Sequence, residues 1–168
     1  MRWLLLGLFF YPKQLLLRFS NCYKESSMLS RNQTIMNHFP TQNSWDENYK
    51  TIIEFGKKLP PFDKKNKQEK WLIKACQSPL WLKAERNDSG DLVFTGDSEG
   101  LISKGLLALI INFYTHRKPE DILKDQPRFI HELDLAQYLS LRRTNGLQAI
   151  LDQILKYAQV FLALSKSK

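Results

Sequence analysis

Cysteine is scarce in this chain: its 168 residues include Cys22 and Cys76 and no other thiol. Two cysteines so far apart build no disulfide framework of the kind that staples small secreted folds. The expectation is a reducing, cytoplasmic setting in which Cys76 is a free thiol. Histidine is equally thin, and His38, His116 and His131 stand far from one another. No Cys-x-x-Cys or His-x-x-x-His spacing occurs, so no bound metal is expected. The N-terminal apolar run, residues 3 to 11, falls short of the ~20 residues a spanning helix needs. Pro12, Lys13 and Arg18 interrupt it, so no membrane association is expected.

Acidic residues are missing from the same region, where Glu25 is the only one before residue 40. Such a leader has the look of a signal or transit peptide, yet no Ala-x-Ala-like cleavage site follows. The favoured reading is an over-extended frame, with translation beginning at Met28 or Met36. Residues 19 to 43 are polar with little periodicity and read as a flexible tail. Residues 1–43 are therefore set apart from a domain over residues 44–168.

Arginine is what the basic stretch lacks. The chain carries a formal charge of +8, and residues 50 to 74 hold eight lysines against Glu54, Asp63 and Glu69. Phosphate-reading surfaces favour the bidentate guanidinium fork, so a lysine-only stretch reads as a solvated face that steers an acidic partner protein. A lysine-rich nucleic-acid-binding module is the alternative of another class.

Hydrophobic residues make up 43% of the chain, enough for one core-bearing domain. Ser44 precedes Asp46 and Glu47 as a helix cap, and Trp45, Tyr49, Ile52 and Ile53 define an apolar face. Gly56, Pro60 and Pro61 stop that helix. "KWLIK", "LWLKAER" and "LVFTG" read as strands, the last two joined through the turn "NDSGD". Helices follow: a buried one over residues 101 to 114 capped by Asp97 or Ser98, a short "PEDILK", a short element between Phe129 and Tyr138, and a long one from about Thr144. The expected fold is α+β, a small three-stranded antiparallel sheet packed with helices.

Cys76 sits in the link between the first two strands, in "IKACQSPLWL". A free cysteine is often a small buried hydrophobe. Gln77 and Ser78 beside it are polar, and Pro79 stiffens the exit, which suits a working thiol. An ordinary thiol is only about 3% ionised at pH 7, and Lys74, two residues away, is placed to raise that fraction. Neither reading prevails on spacing alone. No cysteine–histidine signature supports a hydrolase. "GDSEGLISKG" lacks the Gly-Lys-Ser/Thr order of a phosphate loop, and its glycines read as permitting close helix packing.

Three blocks, "IKACQSPLWL", "GDSEGLISKGLLALI" and "LSLRRTNGLQAIL", together resemble the SufE family of cysteine desulfuration proteins, including its CsdE branch. The resemblance runs from about Trp45 to about Ala158 and implies a sandwich like that of the IscU-type scaffolds. It implies that Cys76 takes persulfide sulfur from a pyridoxal-phosphate cysteine desulfurase, SufS- or CsdA-like, stimulates that enzyme, and passes sulfur to a SufBCD-type scaffold. The CsdE-like alternative feeds a tRNA-modification branch, which "GDSEG" slightly favours. The carrier itself would bind no cofactor, and a homodimer is left open. Gln77, Ser78 and Trp81 are expected to hold the cysteine inward, and Arg143, in the family's Ser-Arg-x-x-Gly pattern, to support the loop or the partner surface. Ala75 stands where the family commonly has glycine, Pro79 replaces a more flexible residue, and Arg142 stands where it usually has serine.

Overall fold

The computed structural model describes residues 31–40, 44–76 and 78–166. The leader, the start at Met28 and residues 41–43 lie outside the described residues. The elements run α1 (residues 31–36), α2 (Trp45–Lys57), β1 (Leu80–Arg86), β2 (Leu92–Ser98), α3 (Leu101–Tyr114), α4 (Pro119–Lys124), α5 (Phe129–Glu132), α6 (Leu135–Tyr138) and α7 (Leu141–Lys166). The α+β expectation holds, with one correction. Among the described residues the sheet has two strands, β1 and β2, antiparallel and in register from Leu80 opposite Ser98 to Arg86 opposite Leu92.

The missing third strand is "KWLIK". Its first part winds into a 3-10 turn at Glu69–Trp71, and pairing then lasts only for the bridge between Leu72 and Trp81. Aromatic and aliphatic content suggested a strand, but the chain leaves the ribbon after Ile73, before a ladder can form. The turn between β1 and β2 is as expected, with Gly90 at φ 82° supplying the left-handed position. β2 continues through Ser98, so α3 starts from Gly100 rather than from Asp97 or Ser98.

Helix α3 is the hub. Leu107, Leu109, Ile110 and Phe113 are fully buried, because α2, β2 and α7 all pack on it. A Cβ at Gly105 would overlap the Ile52 carbonyl oxygen, so glycine is what lets α2 come this close. That is the packing role expected of the glycines in "GDSEGLISKG". Helix α7 also touches β1, where the Tyr157 hydroxyl donates to the Leu82 carbonyl at 2.9 Å.

Residues 31–40 belong to this core rather than to a tail. Ile35 is 1% exposed and Phe39 stacks on Phe55. Arg31 Nη1 donates to the carbonyls of Phe113 and Thr115 at the end of α3, both at 3.0 Å, and Asn32 Oδ1 accepts from the Phe129 amide. Polar neighbours mask the three-and-four spacing of Asn32, Ile35, Met36 and Phe39 in the sequence. A chain starting at Met36 would lose the contacts of Arg31, Asn32 and Ile35, whereas one starting at Met28 keeps them. Chemical denaturation of the two truncated forms should show the Met36 form less stable by at least about 2 kcal/mol, the order for deleting one buried Ile side chain. Equal midpoints would contradict this placement of residues 31–35.

Candidate functional site

The loop at residues 74–79 is tied at both ends. On the way in, the Ile73 amide donates to the Leu80 carbonyl at 2.8 Å. On the way out, the Pro79 carbonyl accepts from Ser98 Oγ at 2.9 Å and from the Glu99 amide at 3.1 Å. Ser98 is buried, so the exit is fixed to the end of β2. Cys76 is the one free cysteine among the described residues.

Its side chain points inward to the first turns of α7. The thiol donates to the Gly146 carbonyl with Sγ···O at 3.7 Å, a long contact of the kind sulfur makes. Leu80 of β1, Ser103 and Leu106 of α3, and Leu147 and Ile150 of α7 wall the space around it. The cavity left over is about 10 Å³, room for one water at most. Arg142 and Arg143 line the same pocket, and no carboxylate does. None of the three histidines lines it, so the structure assembles no cysteine–histidine pair among the described residues.

Burial pushes the Cys76 thiol up to about 11. The seated sulfur is therefore a protonated, weakly reactive thiol. At neutral pH the seated thiol carries the thiolate roughly 100-fold less often than the same thiol without burial. Lys74 does not help ionise it. Its ammonium lies 2.6 Å from Glu69 Oε1, on the exposed side of the loop.

The other expected residues fall in different places. Ala75 is exposed and Ser78 half-buried, while Gln77 lies outside the described residues. Ser78 packs so closely on Gly100 that a Cβ there would meet Ser78 Oγ at 2.5 Å. Trp81 does not line the Cys76 pocket; its ring lies under Lys67 Nζ at 4.8 Å. In β1 its side chain alternates with Leu80, and Leu80 is the one beside Cys76. Arg143 joins two spaces, the Cys76 pocket and a depression shared with Ser78, Gly100 and Leu101. Leu101 is 66% exposed and Leu141, in the same turn as Arg142 and Arg143, is 77% exposed. Arg142 and Arg143 thus form a basic wall of the cysteine pocket, and the exposed Leu101 lies beside Arg143 in the adjoining depression.

Sequence reasoning missed Gly146 as the seat, although a glycine inside an amphipathic helix is itself a signal. It also missed Asp97. Burial works to raise that carboxyl, but hydrogen bonds from Lys104 and Lys67, each at 2.8 Å, outweigh it and hold the group below its usual range. Asp97 thereby pins the lysine-rich connector to the sheet. Lys57 on Glu54 and Lys65 on Asp63 are exposed local pairs that tie no separate elements together.

A solved relative shares this architecture: the solution structure of a hypothetical protein from Thermus thermophilus superposes with a TM-score of 0.63. It is 18% identical, and the match covers 79% of this chain and 96% of that one. The likeness is one of fold, an α+β domain. Residues 33–158 match the family model described as SufE, Fe-S metabolism associated domain. The chain belongs to the SufE family, whose domain is associated with iron–sulfur metabolism.

A buried neutral thiol has a clear pH signature. The seat holds the protonated form, so its stabilisation is complete below the ordinary thiol range near 9.0 and is lost as pH rises through about 11. Iodoacetamide labelling of Cys76 should therefore be slow at neutral pH and rise late, whereas the urea-unfolded chain should titrate near ~8.5. Coincident profiles would contradict the seat.

Proposed function

We propose that this protein is a sulfur carrier that accepts persulfide sulfur on Cys76 from a pyridoxal-phosphate cysteine desulfurase, stimulates that enzyme, and hands the sulfur to a SufBCD-type scaffold for iron–sulfur cluster assembly. The observation that carries the reading is a thiol on a loop tied at both ends, seated in a pocket walled by Arg142 and Arg143, with the exposed Leu101 beside Arg143. Family membership supports the same reading.

The chemistry asks little of the carrier. The Cys76 thiolate attacks the outer sulfur of the donor's persulfide, and a new S–S bond forms. The donor's S–S bond breaks, its electron pair leaves on the donor thiolate, and no net oxidation occurs. Moving Cys76 out of its seat would raise its thiolate fraction roughly 100-fold at neutral pH, from burial relieved alone. Until then the same burial shields it from the sulfenic and sulfinic ladder. The arginine wall with Leu101 beside it suits a partner that offers an apolar anchor and a carboxylate, since Arg143 has no hydrogen bond or ion pair from its side chain among the described residues and is free to take one.

The tRNA-modification branch is the alternative reading; Asp97 of "GDSEG" is engaged by Lys67 and Lys104, a contact within the fold that separates neither branch from the other. The engaged lysines likewise give no support to nucleic-acid binding.

Cys76→Ser should abolish stimulation of a purified SufS-type desulfurase while leaving the denaturation midpoint near that of the parent. Full stimulation by the variant would overturn the proposal. Arg143→Ala should raise the carrier concentration needed for half-maximal stimulation by about tenfold, the loss of one charge-assisted contact. A matching fall in thermal stability would instead assign Arg143 to the fold.

A further inference from the structure

Gly146 occupies the sixth position of a long helix, where glycine is less favourable than alanine by about 1 kcal/mol. Something outweighs that cost. A Cβ at this position would lie 3.1 Å from Cys76 Sγ, closer than carbon normally sits to sulfur, and 3.4 Å from Cys76 Cα, in van der Waals contact. The missing side chain is the floor of the thiol's seat. The Gly146 carbonyl is its acceptor, and the leftover space is about 10 Å³.

We infer that Gly146 is a positioning residue whose bare backbone admits Cys76 only as an unloaded, protonated thiol, so that the sulfur-loaded form stays outside the seat. Two physical limits lead there. A carbonyl oxygen welcomes an S–H donor and repels a thiolate or an ionised persulfide. The cavity has no room for a second sulfur, which would have to overlap Leu106, Leu147 or Ile150. The charged groups facing Cys76 are Arg142 and Arg143 of α7; from β1 and α3 come only Leu80, Ser103 and Leu106. On its own loop, Lys74 is paired with Glu69. The position of Cys76 therefore reports whether it carries sulfur: empty carriers are hidden and loaded ones are presented to the acceptor.

This inference rests on the sulfur-carrier reading for its purpose, but its test uses no desulfurase. Gly146→Ala should be labelled by iodoacetamide at pH 8 about tenfold faster or more, as expected when a two-state seat loses its closed population. Its labelling profile should move toward the ordinary thiol midpoint, while its thermal midpoint equals or exceeds that of the parent. The second measurement needs no variant. Parent protein loaded with one sulfur by inorganic polysulfide is treated with cyanide, which removes the outer sulfur as thiocyanate. Loaded parent and loaded Gly146→Ala should react at equal rates. An unchanged labelling rate in Gly146→Ala, or a loaded parent protected relative to the variant, would overturn the inference. Failure of desulfurase stimulation would count against the carrier reading alone.

Discussion

The contact between the Cys76 thiol and the bare backbone of Gly146 is the constraint on which the site depends. It requires α7 to present a helix face without a side chain at one position, and a loop short enough to reach it. Both ends of that loop are fixed by hydrogen bonds to the ribbon, through Ile73 with Leu80 and through Pro79 with Ser98. The ribbon in turn lies on α3 and α7, so the geometry of a single sulfur atom is set by the whole core.

Charge is arranged around this seat rather than inside it. Burial dominates the thiol, which stays neutral despite two guanidinium groups in the wall. Of the lysines, Lys67 holds the connector to the sheet through Asp97, whereas Lys57, Lys65 and Lys74 make exposed local pairs with Glu54, Asp63 and Glu69. The result is a guarded thiol with an arginine rim, suited to docking on an acidic surface. No helix among the described residues is long and apolar enough to cross a membrane.

Much of the fold was legible because periodicity and turn chemistry agree with the packing. α2, α4 and the β1–β2 hairpin appear where the caps, prolines and Gly90 place them. The third strand failed because apolar content cannot distinguish a ladder from a single bridge followed by a departing loop. Residues 31–40 failed because their buried positions are sparse among polar ones. At the candidate site, Cys76 and Arg143 were both named by resemblance, since scarcity and spacing left Cys76 between a core thiol and a working one. The roles of Gly146 and Asp97 could not, since a close backbone approach and a two-lysine clamp depend on segments distant in the chain coming together. Trp81 was placed by nearness in sequence, yet strand alternation turns it away from the cysteine and brings Leu80 in its place.

The central claim is that sulfur passes covalently through Cys76. Intact-mass analysis after incubation with a purified cysteine desulfurase and free cysteine, with peptide mapping under non-reducing conditions, tests it directly. The account predicts one labile added sulfur, located at Cys76 and removed by a thiol reductant. An unmodified Cys76 under conditions where the desulfurase is turning over, or sulfur found elsewhere on the chain, would contradict it.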